Sequence, residues 1–172
     1  AAVRSAAPAA VSLVFTHAHW DHVLARPWFP GASTIAPGRL AGELRRGAAD
    51  VAAEAKRLAK EHGETWTRGF EPFRPDETVS GLRFLKLDGW KLVFRDAPGH
   101  SASALTIHVT DQRLLIAGDL LSDVEIPGLD GPPSVYRDTI EALWPLADGG
   151  AIETLVPGHG SIARGRDAVI AR

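Results

Sequence analysis

The sequence predicts a mixed α/β fold on three observations. Short apolar runs of strand character recur along the chain, segments of helical periodicity stand between them, and no internal repeat, low-complexity tract or linker breaks the alternation. The chain of 172 residues is long enough for one domain with a real core, and its 45% hydrophobic and 23% charged residues are those of an ordinary globular protein, so a single domain over 1–172 is expected.

Val11 to Phe15 reads as a short buried strand, and Ser33 to Ala36 as another. A helix is expected from about 48 to 62. Val51, Ala55, Leu58 and His62 fall near one face, Arg57 and Glu61 form an i,i+4 pair, and Gly63 stands where a helix stop belongs. Residues 63–80, rich in Pro, Gly and aromatic side chains, read as an irregular connection. A hairpin follows, Leu82 to Leu87 and Trp90 to Phe94, joined by Asp88-Gly89, the signal for a type I′ turn. Ser103 to Val109 and Arg113 to Ala117 make a second pair around Asp111-Gln112. Leu120 to Pro133 reads as a loop, Ser134 as the cap of a helix reaching about Ala147 and bent or ended by Pro145, and Ile152 to Val156 as the last strand.

Composition narrows the function. A net charge of -2 with scattered Lys and Arg offers no basic stripe for nucleic acid, and no apolar run is long enough for a bilayer, so a soluble, cytoplasmic protein with a small-molecule partner is expected. Oligomeric state leaves no mark. The absence of cysteine excludes disulfides, a thiolate metal site and a cysteine nucleophile, so any metal must rest on His, Asp or Glu. There is no methionine and the Ala-rich opening lacks the features of a signal peptide, which points to a fragment or processed form.

Chemistry concentrates at strand ends. The stretch THAHWDH, residues 16–22, puts three histidines and an aspartate into seven positions, and five of the seven histidines in the chain sit where predicted strands finish. VSLVF runs into THAHWDH, WKLVFRD into APGHS, RLLIAG into Asp119 and IETLV into PGHG. If those ends gather at one sheet edge, His17, His19, Asp21, His22, His100, Asp119 and His159 converge. Imidazole and carboxylate suit a zinc-like ion, and seven such ligands are too many for one tetrahedral ion but fit two that share a ligand. The Pro-Gly pairs before His100 and His159 allow sharp turns. His108, on the opposite strand face, and His62, in a last helical turn, read as structural. Trp20 reads as core, with the site as the alternative, and Ser101 and Tyr136 as turn and packing groups rather than donors.

THAHWDH, PGHS, the Gly118-Asp119 pair and PGHG, in that order, resemble the metallo-β-lactamase fold hydrolases over about residues 11–165. The resemblance implies an αββα sandwich with a dinuclear site at one edge. His17, His19 and His100 would hold the first ion, Asp21, His22 and His159 the second, and Asp119 would bridge them. Only sixteen residues precede His17, fewer than members carry there, so the N-terminal sheet is expected to be truncated. Zinc β-lactamases lack the bridging aspartate, and Asp119 therefore favours the glyoxalase II, lactonase and esterase-like branches over antibiotic hydrolysis.

The expected activity is hydrolysis of a small ester, thioester or lactone by a metal-bound hydroxide. Two divalent ions, most simply Zn with Fe or Mn as alternatives, would lower the pKa of a bound water from 15.7 to about 7 and polarise the carbonyl. Asp21 and Asp119 are the candidate catalytic carboxylates, Asp21 orienting the hydroxide or carrying a proton and Asp119 holding the ions together. Two rival readings are a mononuclear iron enzyme like the persulfide dioxygenases, using a triad such as His17, His100 and Asp119, and a non-catalytic metal-binding fragment. A nuclease is disfavoured by the balanced charge. The loop Leu120 to Pro133 and the segment Trp66 to Phe73 are the expected pocket walls.

Overall fold

The computed structural model describes residues 11–87 and 89–172 and divides into two compact units, Ala1–Thr78 and Val79–Arg172. Sheets and helices alternate through both, and the mixed α/β class is the one expected from the sequence.

The first unit is built on a sheet of order β1-β2-β3, with β1 at Ser12–Val14, β2 at Ser33–Pro37 and β3 at Glu77–Val79. β1 and β2 run parallel, Val14 opposite Ile35, so a crossover must join them. That crossover contains the helical turn α1 (Trp20–Val23), a 3-10 turn at Arg26–Trp28 and the residues that follow β1. The long helix α2 spans Leu40–Glu61, beginning eight residues before the expected start. Gly42 and Gly47 each cost about 1 kcal/mol of helix propensity and hide the early turns from a pattern search. Burial overrides them, because Leu40 and Leu44 extend the stripe of Val51 and Ala55 into a core with Phe15, Val23, Ala36 and Phe70. At the other end the expectation holds: Arg57 pairs with Glu61 and also with Glu54, and Gly63 takes a positive φ of 69° just past the helix.

The connection 63–80 holds more order than its composition announces. It contains β3, and just before that strand Asp76 binds β2 through both main chain and side chain. Its Oδ2 accepts the Thr34 N–H and the Thr34 hydroxyl, each at 2.8 Å, while the Asp76 N–H donates to Thr34 Oγ1 at 2.9 Å.

The second unit carries a sheet of order β4-β5-β6-β7-β8-β9. Its strands are β4 (Leu82–Leu87), β5 (Trp90–Asp96), β6 (Leu105–Val109), β7 (Leu114–Gly118), β8 (Thr154–Pro157) and β9 (Ala163–Arg164). Both expected hairpins form. Leu87 lies opposite Trp90, as a two-residue connection requires; Asp88, on which the turn type partly rests, lies outside the described residues. The last expected strand is shifted to Thr154–Pro157: Thr154 opens the ladder opposite Leu114, while the Ile152 N–H is held by the Leu146 carbonyl at the end of the preceding helix. β9 and the short helix α4 (Arg166–Ile170) were not foreseen, being too short for a periodic signal.

Helix α3 spans Pro133–Asp148, reaching the expected C-terminal end and differing from expectation at its start. Pro132 occupies the cap and Pro133 the first helical position, where a missing N–H costs nothing, so Ser134 lies inside the helix. Pro145 does not end it: the neighbouring Leu143 and Ala147 are buried in the core with Leu115, Ala117, Ile152, Leu155 and Val169, and that packing carries the helix past the proline. Among the described residues no helix is long and apolar enough to cross a membrane.

Strand direction is what matters for the chemistry. β5 and β7 are both antiparallel to β6 and therefore parallel to each other, and β8 is parallel to β7. Their C-terminal ends consequently share one edge of the sheet.

The Asp76–Thr34 staple gives a pH-dependent test. The hydroxyl and then the N–H of Thr34 hold the Asp76 carboxyl below its ordinary pKa. A group depressed in the fold contributes fully above its unfolded pKa of about 4, and the contribution disappears as pH falls through the folded value. Asp76→Ala is expected to lower the Tm at pH 7 and to differ progressively less from the parent as pH drops from about 4 toward 2. A Tm difference constant over that range would contradict the assignment.

Candidate metal centre

In the first unit the ligand-type residues follow β1 directly. Phe15 is buried, its ring 4.9 Å from that of Phe73, and fixes the chain as it leaves the strand. Ala18 and Trp20 then turn toward the apolar core, which settles Trp20 as a core residue. The alternating residues form a cluster of imidazoles: the buried His17 ring lies 4.6 Å from His19, edge-on, and 4.1 Å from His22. His19 occupies the cap of α1 with extended backbone, so the chain changes from strand-like to helical there and brings Asp21 and His22 into one turn. His22 Nε2 stands 3.3 Å from Asp21 Oδ2. Thr16 Oγ1 sits 3.1 Å from His17 Nδ1 and engages that nitrogen, so a metal ion held by this ring would be met by Nε2.

The second unit brings together His100, Asp119 and His159, each just beyond one of the three co-directional strands. Both imidazoles approach the same carboxylate oxygen: Asp119 Oδ2 lies 3.3 Å from His100 Nε2 and 3.5 Å from His159 Nε2. A register shift between Ile116 and Gly118 in the β7–β8 ladder immediately precedes Asp119, and Gly118 adopts a φ of 57°, so the strand is bent where it delivers the carboxylate. His100 Nδ1 donates to the Gly128 carbonyl at 2.8 Å. That bond fixes the tautomer, leaving the Nε2 lone pair for a ligand. Burial pulls the His100 pKa down, but the Asp119 carboxylate and the Gly128 carbonyl outweigh it and hold the imidazole above its ordinary value.

The turns bearing these histidines are tightly built. Gly99 adopts a φ of 136°, and a Cβ there would lie 2.6 Å from the Cα of Tyr136, so α3 packs against the turn at a distance only glycine permits. The His159 turn is tied on both sides: the Gly158 N–H donates to the Gly118 carbonyl at 2.7 Å, and the Ser161 N–H donates to Asp123 Oδ1 at 2.8 Å. Asp123 also pairs with Arg172 at 2.8 Å, and Arg172 in turn donates to the Ser161 carbonyl at 3.0 Å. The Arg172 guanidinium holds the Asp123 carboxyl far below the usual carboxylate range.

Within each unit, then, the sequence-predicted residues gather. Ligand atoms of His17 and His19, and of Asp21 and His22, lie within 4.8 Å of each other in the first; those of Asp119 lie within 4.8 Å of His100 and of His159 in the second. His62 stands apart at the end of α2, and His108 Nε2 bonds the Ala151 carbonyl at 2.9 Å. Ser101 Oγ accepts the Ser103 N–H at 3.2 Å, and Tyr136 Oη accepts the Leu121 N–H at 3.4 Å, so both act within the framework. Sequence reasoning missed Thr16, Asp123, Gly128 and Arg172, the groups that orient the histidines. Only Thr16, adjacent to His17, carried any signal; the others act from positions distant in sequence.

The donor chemistry fits a borderline divalent cation: neutral imidazole nitrogens with carboxylate oxygens and no thiolate. Gly99→Ala is expected to destabilise the protein by about 1–3 kcal/mol in urea unfolding, the range for overpacking. Gly128→Ala, where a Cβ meets nothing within 4 Å, should stay within about 0.5 kcal/mol of the parent. Equal stability of the two variants would show that the turn yields.

Residues 11–159 match the family model of the metallo-beta-lactamase superfamily. Over 79 residues the chain is 33% identical to acyl-coenzyme A thioesterase MBLAC2 of Homo sapiens, a match covering 44% of this chain and 28% of that protein. The Gallus gallus counterpart is 28% identical over 92 residues, 51% of this chain and 32% of its own length. The matched region thus spans about a third or less of these curated relatives. Among solved structures, the metallo-beta-lactamase superfamily protein ST1585 from Sulfolobus tokodaii superposes with a TM-score of 0.64 at 16% identity, covering 92% of this chain and 64% of that one. The family protein TTHA1429 from Thermus thermophilus gives 0.66 at 24% identity, over 94% and 57%. The stereoselective inverting sec-alkylsulfatase Pisa1 from Pseudomonas sp. gives 0.67 at 18%, over 94% and 31%. These structural likenesses establish a shared fold.

Proposed function

Because the chain belongs to the metallo-beta-lactamase superfamily, we propose that it is a dinuclear metal-dependent hydrolase acting on a small thioester or a related ester or lactone. The observation that carries this reading is the gathering of His and Asp side chains at strand ends in each unit, with His100 and His159 sharing one oxygen of Asp119. The thioester is favoured among acyl substrates by the likeness to the acyl-coenzyme A thioesterase.

His17, His19 and His100 would hold one ion, Asp21, His22 and His159 a second, and Asp119 would serve both. Bound there, the ions supply Lewis acidity, polarising a carbonyl and making water a nucleophile near neutral pH. The protein supplies the rest. The Thr16 hydroxyl and the Gly128 carbonyl occupy Nδ1 of His17 and His100, which presents Nε2 of each ring in a fixed orientation. Asp21, which stands beside His22, would accept a proton from water and return it to the leaving thiol or alcohol. No side-chain nucleophile is required, in keeping with the absence of cysteine and with Ser101 engaged in its turn.

Elemental analysis of the purified protein is expected to find two transition-metal ions per chain. Replacing His17 and His19 together by Ala should lower kcat/KM for thioester hydrolysis by about a thousandfold, the equivalent of several kcal/mol of lost metal assistance. Absence of bound metal, or hydrolysis unaffected by the double replacement, overturns the reading. One iron per chain with oxygen consumption would instead establish the dioxygenase, and metal binding without turnover the non-catalytic fragment.

A further inference from the structure

Between Asp119 and α3 the chain forms an irregular strap, and its pins are those that fix the two histidine turns of the second unit. Near one end Asp123 holds the Ser161 N–H and the Arg172 guanidinium, each at 2.8 Å. At the other the Gly128 carbonyl accepts His100 Nδ1–H at 2.8 Å, and the Asp130 N–H is shared between the carbonyls of Gly99 and His100 at 3.1 and 3.2 Å. Between and beside these pins the strap carries large apolar side chains into solvent: Val124 is 67% exposed, Ile126 97% and Leu129 40%.

Such exposure gains nothing for folding, since each of these side chains would be better buried. Position supplies the reason. Ile126 lies two residues from Gly128, whose carbonyl touches the His100 ring, so its Cα is within about 7 Å of that of Gly128. Leu129 is the next residue after Gly128. Apolar groups are thus tethered beside an imidazole proposed to hold one of the metal ions. Asp123 is neutralised by Arg172, but the carboxylates of Glu125 and Asp130 on the same strap disfavour an anionic membrane as the occupant and leave a neutral apolar group.

We propose that Val124, Ile126 and Leu129 form an apolar recognition surface for an aliphatic acyl chain, making the protein selective for substrates with acyl groups longer than acetyl. The inference rests on the hydrolase reading above.

The test compares octanoyl and acetyl thioesters of N-acetylcysteamine, hydrolysed by the metal-loaded parent and by the Val124→Ser/Ile126→Ser double variant. The parent is expected to prefer octanoyl in kcat/KM, and the double variant to lose about tenfold of that preference, chiefly through KM, from two side chains' worth of apolar contact. Phe84→Ser, on β4 and 71% exposed, should leave the preference as in the parent. A parent preferring acetyl, or a preference unaltered in the double variant, overturns the proposal. If neither thioester is hydrolysed, the functional reading fails and the strap is judged by calorimetry with S-octyl-N-acetylcysteamine, a non-hydrolysable thioether. Binding weakened by the double replacement then supports the surface, and absence of binding to the parent overturns it. Parent binding to phosphatidylcholine vesicles that the double variant loses, with thioester preference unaltered, would identify a membrane contact instead and overturn it as well.

Discussion

The approach of two imidazoles to a single oxygen of Asp119 is the interaction on which the second unit turns. A buried carboxylate is costly unless charge or hydrogen bonds compensate it, and here His100 and His159 stand 3.3 and 3.5 Å away. Three decisions in the backbone make this possible. β5, β7 and β8 run the same way, so their ends meet at one edge; α3 provides the crossover that a parallel β7–β8 pair demands; and the ladder irregularity at Ile116–Gly118 bends β7 as it ends. The bonds from Gly158 to Gly118 and from Ser161 to Asp123 then couple the His159 turn to residues on both sides of Asp119. An ion placed among these groups would replace a costly arrangement of polar side chains with a coordinated one.

The first unit solves a related problem over a much shorter stretch. Seven residues after Phe15 must leave a strand, cluster three imidazoles and enter a helical turn. The alternation of core and cluster residues does this: Phe15, Ala18, Trp20 and Val23 bind the segment to the core beneath α2, while the His19 and His22 rings both lie against that of His17. The length of α2 follows from the same need, because Leu40 and Leu44 extend the surface on which Val23 and Phe15 pack.

The strand-end histidines were legible because strands announce themselves by apolar runs and a ligand at a strand end keeps a fixed place in sequence. The hairpin at Leu82–Asp96 was legible for a comparable reason, its turn being local and its runs long. What escaped was everything decided by contact across the chain. The early turns of α2 are masked by Gly42 and Gly47 and rescued by burial. Pro145 signals a break that Leu143 and Ala147 override. Asp76 on Thr34, Asp123 on Ser161 and Gly128 on His100 are hydrogen-bonded contacts between residues 42, 38 and 28 positions apart, and no periodicity encodes them. The sequence therefore named the ligand-type residues and left unnamed the groups that aim them.

Sharing of Asp119 by two cations is the central claim, and X-ray absorption of the zinc-saturated protein tests it most directly. The account predicts a nitrogen and oxygen coordination shell at about 2.0–2.2 Å together with a metal–metal distance of about 3.5–4 Å. A spectrum at saturating zinc with no metal–metal scattering would contradict it.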